Sequence, residues 1–413
     1  MITLLKKLHF KDTPPAVISI SLVTAICLIG DSMLYIALPI FWREVGLDSL
    51  WQVGILLSIN RFIRLPFNPI IGWVYQRISL KMGLIIAVIL GTITTFGCGM
   101  ITGFVGWLIL RGMWGIAWSF FRIGGLAAVV ASTTDKNRGK TMGIYNGLYR
   151  LGSLFGMLIG GILTPFIGLK YVALLLGVCT LFAFFYLFHT VTTFQDSKGN
   201  IKNNPAPSLP NFHFPKGTFS IIISGFFVSL LFQGILTSTL SPLIDDLFSE
   251  PIRFAGIFFT VTALSGLIQA VRWIWEPFVA GWVGALSDGL KGRLPLFIYS
   301  FIFSAVVVGI LPLSMSIYIW IFVSLLVMLS ATSLTTLSDA IASDVAKQTN
   351  AVSFLTYYTI SQDIGAALGP FFSYFLITIP FGFNYLYFGS ALILLILAAY
   401  WLRAQKVRVR SNG

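Results

Sequence analysis

Charged residues recur at matching places inside long apolar stretches of this 413-residue chain. Arg61 and Arg64 are three residues apart in the segment RFIRLPF, so they share one face of a helix. Arg272 and Glu276 are four residues apart in the segment RWIWEPF and share a face in the same way. A planar guanidinium binds carboxylate or phosphate through two hydrogen bonds and keeps its charge. The two segments therefore indicate a binding site for a negatively charged group.

Other charged side chains also lie in the middle of apolar stretches, where a central charge costs about 2.5–3.5 kcal/mol on insertion scales. Six arginines stand against three acids, an excess of three positive charges. Such groups need partners, water or a ligand. The mid-span candidates are Asp31, Arg61, Arg64, Arg111, Arg122, Arg150, Arg272, Glu276 and Asp363.

The composition indicates that these apolar stretches lie in a lipid membrane. The chain is 57% hydrophobic and 10% charged, whereas soluble domains carry roughly 25% charged residues. The net charge of +13 comes from basic residues scattered in short loops, so it indicates membrane topology rather than nucleic-acid binding. The three cysteines lie in apolar runs and show neither a disulfide framework nor a metal-ligand spacing.

Twelve apolar stretches are long enough to cross a membrane as helices, which takes about 20 residues each. Basic residues concentrate in alternate loops and near both ends, which places both termini in the cytoplasm. The polar segment 191–217 is expected to be a cytoplasmic linker between an N-terminal six-helix bundle at residues 1–190 and a C-terminal one at residues 218–413. The predicted spans lie near 16–41, 51–75, 82–103, 106–132, 141–165, 169–191, 218–243, 255–286, 295–315, 317–341, 352–377 and 382–402.

The two halves repeat in sequence. Parallel six-helix repeats are typical of transporters whose substrate site lies between the halves, near the membrane midplane. We therefore expect Arg61 and Arg272 to face each other across a central cavity. The repeated pairs are Arg61/Arg272, Pro66/Pro277 and Phe67/Phe278 at an offset of 211, and Tyr145/Tyr358, Gly152/Gly365 and Gly156/Gly369 at an offset of 213.

Two loops make the chain resemble the major facilitator superfamily, and the resemblance covers essentially the whole sequence. That family carries a G-x-x-x-D-R-x-G-R-K signature after its second helix, and GWVYQRISLK has Gln76 at the acidic position but keeps Gly72, Arg77 and Lys81. After the eighth span, GALSDGLKGR keeps the pattern with one extra residue at Gly284, Asp288, Gly292 and Arg293. The resemblance implies that these loops lock the cytoplasmic side through charge pairs to neighbouring helix ends.

The spans themselves also resemble family segments. These are GDSMLYIALP in the first span, RGMWGIAW in the fourth and GSLFGMLIGG in the fifth, the last with Met157 where proline is usual. The resemblance implies that Asp31 and Arg111 lie close together and act in proton coupling, with Asp363 and Glu276 as secondary candidates. A carboxylate in a partly dry site can load and release a proton as its surroundings change. The other interpretation is that Asp31 is a permanently ionised partner of Arg111 that only fixes helix packing.

The resulting hypothesis is an all-α polytopic protein of twelve transmembrane helices in two pseudo-symmetric bundles. It acts as a secondary active transporter of a small anion by alternating access, coupled to protons. Organic acids and carboxylate-type siderophores fit the excess of arginine. The expected substrate contacts are Arg61, Arg64, Arg122, Arg272 and Glu276. The structural alternative is that Arg272 pairs with Glu276 within one helix and that Arg150 pairs with Asp363 or a helix end.

Other functions remain as alternatives, namely a broad-specificity drug/proton antiporter and an anionic-lipid flippase. No H-E-x-x-H, G-x-S-x-G or P-loop motif appears, so the sequence does not predict an enzyme. We expect no cofactor, no metal and no nucleic-acid partner. The expected partners are the solute, protons and lipid, and the expected form is a monomer in the bacterial inner membrane.

Overall fold

A computed structural model describes residues 13–133, 137–190, 218–248, 251–288, 292–347 and 351–411. The predicted linker at 191–217 lies outside these residues, as does the N-terminal basic segment.

Twelve helices make up almost all of the described chain, because a segment in lipid must satisfy its own backbone hydrogen bonds. Nine of the helices described are long and apolar enough to cross a membrane. The other three, Leu50–Tyr75, Val261–Ser287 and Ala351–Leu376, carry charged residues of the mid-span set. The helices are α1 (Pro15–Phe41), α2 (Leu50–Tyr75), α3 (Leu80–Met100), α4 (Phe104–Ser132), α5 (Arg138–Ile167), α6 (Leu169–Thr190), α7 (Thr218–Leu247), α8 (Val261–Ser287), α9 (Arg293–Ile310), α10 (Ile317–Lys347), α11 (Ala351–Leu376) and α12 (Gly382–Ser411). Within α7, Ser229–Leu236 is π-helical.

The eighth span begins later than the sequence predicted. In place of a helix from residue 255, an antiparallel hairpin forms from β1 (Ile252–Phe254) and β2 (Ile257–Phe259). Its two-residue turn has positive φ at both Ala255 and Gly256, as a tight hairpin of the primed type requires. Helix α8 then starts at Val261, with the Thr260 hydroxyl accepting a hydrogen bond from the Ala263 amide.

Each bundle is built around the same pair of closely packed helices. In the N-terminal half α5 packs on α1, and in the C-terminal half α11 packs on α7. Glycines permit both contacts: a Cβ atom at Gly152 would overlap the Ala25 carbonyl, and one at Gly365 would overlap the Phe226 carbonyl. These two glycines are repeat partners, so the predicted pseudo-symmetric fold of two six-helix bundles is confirmed.

The halves contact each other at two interfaces, where α2 packs on α11 and α5 packs on α8. The repeat relates α2 to α8 and α5 to α11, so the two interfaces correspond to each other. A Cβ atom at Gly54 would lie 2.7 Å from the Pro370 carbonyl oxygen, and one at Gly161 would lie 2.5 Å from that of Thr262. We call this the tight end; it is the end where α1 finishes and α2 begins. Toward the other end Gly147 of α5 has open space around it. At mid-depth between the halves, Arg61, Arg64 and Arg150 are partly exposed, whereas Arg272 is buried.

Candidate functional site

An ion pair lies deep inside the N-terminal bundle. Asp31 of α1 and Arg111 of α4 are 8% and 2% exposed and form a salt bridge. Arg111 Nε also donates to the Leu56 carbonyl oxygen at 3.0 Å, and Asn60 Nδ2 donates to Asp31 Oδ1 at 3.4 Å. The predicted proximity of Asp31 and Arg111 is thus present, while the proposed role in proton coupling stays a prediction.

Three arginines of the N-terminal half lie within electrostatic range of one carboxylate of the C-terminal half. Arg61 and Arg64 come from α2 and Arg122 from α4, and all three interact electrostatically with Asp363 of α11. We call these four residues the cationic cluster. Their formal charges leave an excess of two positive charges.

Aromatic and backbone groups position the arginines of this cluster. Arg64 Nε donates to the Asn60 carbonyl oxygen at 3.1 Å, and its guanidinium lies 5.4 Å from the ring centroid of Trp118. Arg122 donates to the Tyr149 hydroxyl at 2.9 Å. Arg61 has Tyr35 as its hydrogen-bonding neighbour, yet its Nε is buried without a partner among the described residues. The cluster is therefore fixed in place but retains free donor capacity.

A second group of charges joins the two halves, and we call Arg150, Arg272 and Glu276 the bridging cluster. Arg150 of α5 forms an ion pair with Glu276 of α8. Arg272, which is 7% exposed, interacts with Glu276 only at longer range, and its Nε has no partner in the described part of the chain. The intrahelical pairing of Arg272 with Glu276 is therefore wrong, and so is the pairing of Arg150 with Asp363. Glu276 reaches across to the other half because Arg150 lies opposite it on the α5–α8 interface.

Tyr149 connects the two clusters. Its hydroxyl accepts the hydrogen bond from Arg122 and also interacts through a hydrogen bond with the side chain of Arg150. Its ring packs edge-on against Trp118 at 5.7 Å. A chain of contacts thus runs from the cationic cluster to Glu276. Sequence analysis missed Tyr149, because a tyrosine in an apolar span has no signature of its own.

Asp339 of α10 is a fourth intramembrane acid, which is not among the mid-span candidates named from the sequence. The Tyr358 hydroxyl donates to it at 2.8 Å and Gln362 Nε2 donates to it at 3.1 Å. It also interacts with Arg150 and Glu276. The sequence does indicate Asp339, since any acid inside an apolar span is a functional candidate. Counting it lowers the excess of mid-span positive charge from three to two.

Arg61 and Arg272, the predicted anion clamp, lie in two different clusters, and their joint role in binding an anion stays a prediction. Arg61 belongs to the cationic cluster and Arg272 to the bridging cluster, and no interaction between the two arginines occurs within the residues described. The two repeat segments do lie in the corresponding helices, α2 and α8. They contribute to adjoining sites rather than to one pair.

The family-like loops show one set of charge contacts. Arg293, at the start of α9, lies 2.7 Å from Asp288 at the end of α8 and 3.3 Å from Asp344 near the end of α10. In the N-terminal half Arg77 stacks on Trp73 with its guanidinium 3.6 Å from the ring centroid. The remaining predicted loop residues are Lys81 in the first turn of α3, and Gly72 and Gly284, each with open space around it. A locking role for these residues stays a prediction.

The chemistry available between the halves is ion binding. Guanidinium groups, a phenol and three carboxylates can hold and release an anion or a proton. Among the described residues no group of three or more His, Cys, Asp or Glu side chains is placed to hold a metal ion.

Comparisons with known proteins agree with this architecture. A sequence profile of the Major Facilitator Superfamily matches residues 20–277. The uncharacterized MFS-type transporter YcaD of Escherichia coli, in strains O45:K1 and O81, is 28% identical over 118 residues. That alignment covers 29% of this chain and 31% of the relative, so the chain spans about a third of the length of the curated relatives it matches.

Solved structures match along nearly the whole chain. A bacterial homolog to the human lysosomal transporter Spinster, in an inward-facing and unoccupied conformation, superposes with a TM-score of 0.72 at 14% identity, covering 96% of this chain and 97% of that one. The inward-facing and occupied conformation gives 0.69 at 16% identity, with coverage of 94% and 96%. At this level of identity the likeness shows a shared fold.

Proposed function

The chain belongs to the Major Facilitator Superfamily, and from that premise we propose that it is a secondary active transporter of a small anionic solute. Membership and fold make it a transporter embedded in a membrane. The solute class proposed is a carboxylate-bearing metabolite, such as an organic acid or a carboxylate-type siderophore. The solute binds between the halves, which alternate in exposing it to the two sides of the membrane.

The observation that carries this proposal is the charge of the cationic cluster. Arg61, Arg64 and Arg122 all interact electrostatically with Asp363. Arg61 and Arg64 also interact with Asp31, whose charge is already matched by its ion pair with Arg111. A charge inside a membrane is retained at a cost of a few kcal/mol, so two uncompensated guanidiniums need a compensating ligand. An anion with two or more negative charges compensates both guanidiniums. Carboxylates and phosphates are favoured because they accept bidentate hydrogen bonds from a guanidinium.

Proton coupling is proposed for the Asp31–Arg111 pair. The pair is buried within the N-terminal bundle, and Asn60 links it to α2, whose next turn carries Arg61 and Arg64. A change in the protonation of Asp31 alters the charge that Arg111 and the arginines of α2 experience. This contact supports a coupling route from Asp31 to the cationic cluster.

The remaining features complete the proposal. The halves comprise residues 1–190 and 218–413, joined by the cytoplasmic linker 191–217. The protein is a monomer of the bacterial inner membrane with both termini in the cytoplasm, as the distribution of basic loop residues favours. Under this orientation the tight end faces the periplasm, and the partly exposed clusters are reached from the cytoplasm.

A broad-specificity drug/proton antiporter is the second candidate. It is favoured by the aromatic wall of Trp118 and Tyr149 beside the charges, which could hold a flat lipophilic compound. Lipophilic cations, however, would meet the excess positive charge of the cationic cluster. An anionic-lipid flippase uses the same arginines as the main proposal and differs in the size of its substrate.

The test is a ligand screen by thermal shift on the purified protein and on Arg64→Gln. We expect di- and tricarboxylates to raise the melting temperature of the unaltered protein. Arg64→Gln should need at least about tenfold more ligand for the same rise, since hydrogen bonds to charged groups contribute about 1.5–3 kcal/mol. Arg253→Gln is the matched control, because Arg253 lies exposed on the hairpin and its loss removes the same charge elsewhere.

Two outcomes would overturn the proposal. One is stabilisation by lipophilic cations that persists in Arg64→Gln, which supports the drug antiporter. The other is an equal loss of anion response in Arg64→Gln and Arg253→Gln, which would reduce the effect to net charge. Scrambling of labelled phosphatidylglycerol in liposomes identifies the flippase.

A further inference from the structure

We propose that Glu276 is a resident counter-anion that the transported anion displaces from Arg150, so that Arg150 and Arg272 form a second anion subsite beside the cationic cluster. This inference rests on the proposed function and deepens it. The ligand group it takes is a carboxylate or a phosphate. The displacement also releases the ionic link between α5 and α8.

The position of the ion pair is the first argument. Arg150 and Glu276 come from opposite halves of the molecule, and the pair lies about 15 Å along both helices from the close contact of Gly161 with Gly266. At the tight end the halves touch through backbone and small side chains. At mid-depth they are held by this ion pair, which is the kind of link that must break when the halves separate there.

The exposure of the two partners is the second argument. Arg150 is 43% exposed while Glu276 is 16% exposed. A guanidinium presents five N–H donors in a fixed fork, and one carboxylate oxygen occupies only part of that fork. The exposed face of Arg150 can therefore meet an incoming anion before Glu276 leaves.

Unpartnered polar atoms are the third argument. Within the described residues Arg272 Nε and Glu276 Oε2 are buried with no hydrogen-bond partner. Buried polar atoms are nearly always hydrogen-bonded in native proteins. An anion on Arg150 and Arg272 satisfies the Arg272 donor, and a Glu276 side chain released from Arg150 is free to find a partner of its own.

Tyr149 provides continuity between the two subsites. Its hydroxyl lies between Arg122 of the cationic cluster and Arg150 of the bridging cluster. An anion with two acidic groups can place one on the cationic cluster and the other on Arg150. The geometry thus favours dicarboxylates and tricarboxylates, or phosphorylated acids, over monocarboxylates.

The experiment measures binding of succinate, citrate and inorganic phosphate by calorimetry to the full chain and to three variants, with acetate as the monovalent comparison. We expect Glu276→Gln to tighten citrate binding by at least about fivefold, the lower end of typical coupling between sites, because the competing carboxylate is gone. Arg150→Gln weakens it. The double variant Arg150→Gln/Glu276→Gln loses the gain, which shows that the gain acts through Arg150.

The exposed pair of Arg293 with Asp288 supplies the control. Asp288→Asn removes one carboxylate from a comparable ion pair outside the site and should leave citrate binding unchanged. If Glu276→Gln weakens citrate binding as much as Arg150→Gln does, the pair only holds the halves together and the inference is overturned. A gain in Glu276→Gln that survives in the double variant also overturns it.

The same measurements separate this inference from the proposed function. Should none of the anions bind the unaltered protein, the proposed function fails. If citrate binds and its binding depends on Arg64, but Glu276→Gln does not increase the affinity, only the inference of a second subsite is overturned. Repeating the titration in nanodiscs of phosphatidylglycerol and of phosphatidylcholine distinguishes a lipid phosphate from a soluble one, since a resident anionic headgroup weakens the apparent citrate affinity only in phosphatidylglycerol.

Discussion

A guanidinium inside a membrane protein is stable when its charge meets a carboxylate, water or a ligand, and the arginines here differ in which of these they have. Arg111 is matched to Asp31 and hydrogen-bonded to backbone. Arg150 is matched to Glu276. Arg61, Arg64 and Arg122 interact with Asp363 electrostatically, at longer range. This division sets Arg111, whose charge is matched inside one bundle, apart from the arginines between the halves, which we propose for substrate binding.

The first prediction concerns the buried pair. Asp31→Asn leaves the charge of Arg111 buried without a counter-ion, and removing one partner of a buried ion pair destabilises by about 3–5 kcal/mol. We expect a clear fall in melting temperature in detergent. Asp288→Asn breaks an exposed pair and should cost less than about 1 kcal/mol. Equal melting temperatures for the two variants would show that Asp31 does not pair with Arg111 as described.

The second prediction concerns Arg64. Its guanidinium is partly buried and lies within electrostatic range of that of Arg61, and like charges repel each other. Arg64→Gln should therefore leave the ligand-free melting temperature unchanged or raise it, while the stabilisation by di- and tricarboxylates is lost. Such a trade of stability for function is common at binding sites. A fall comparable to that of Arg111→Gln would mean that Arg64 is a structural residue.

At this scale the sequence predicted which residues are charged and buried, but not all of their partners. Spacing within one helix suggested Arg272 for Glu276, whereas the partner is Arg150, 126 positions away. Such a pair depends on how two halves dock, which no local pattern encodes. The pair of Asp31 and Arg111 was found because a family resemblance, not spacing, brought them together.

The helices were predictable because an apolar stretch of about 20 residues in lipid must satisfy its own backbone hydrogen bonds, which a helix does. The hairpin before α8 was not predicted, since its Ile and Phe residues are as apolar as those of a span. The turn is defined by the positive φ of Ala255 and Gly256, a backbone property that the apolar pattern of the sequence does not show. The glycine faces of α5 and α11 were identified from the repeat, and the contacts with α1 and α7 explain why glycine is needed.

The third prediction tests these contacts within α5. A Cβ atom at Gly156 would overlap the Ile29 carbonyl, whereas one at Gly147 meets nothing within 4 Å. Gly156→Ala should lower the melting temperature because α1 and α5 must move apart. Gly147→Ala should leave it unchanged or raise it, since alanine favours a helix by about 1 kcal/mol over glycine. Identical responses would contradict the described packing of α5 on α1.

The whole molecule is packed most closely between its halves at the tight end, where Gly54 approaches Pro370 and Gly161 approaches Thr262. Packed interfaces tend to switch between discrete arrangements rather than deform continuously. Small residues at this end let the halves close, and the bridging cluster holds them at mid-depth. Alternating access then requires that both contacts open and re-form.

The fourth prediction is a shift in conformation. Gly161→Leu forces a side chain against Thr262 and should displace the population toward a state in which the tight end is open. Spin labels at Asp48 and Arg253, one on each half at this end, should show a longer distance by pulsed electron resonance. Gly147→Leu, on the same helix but away from the tight end, should keep the original distance because a side chain there meets nothing within 4 Å. A lengthening in both variants would mean that the effect is not local to the interface.

The central claim is that an anion bound by the cationic cluster is transported. Counterflow of radiolabelled citrate or succinate into proteoliposomes tests it most directly, with the unaltered protein beside Arg64→Gln and Arg253→Gln. The account predicts uptake by the unaltered protein and by Arg253→Gln, and at least about tenfold less by Arg64→Gln. Uptake that is equal in all three proteins, or absent for every di- and tricarboxylate while a lipophilic cation is transported, would contradict it.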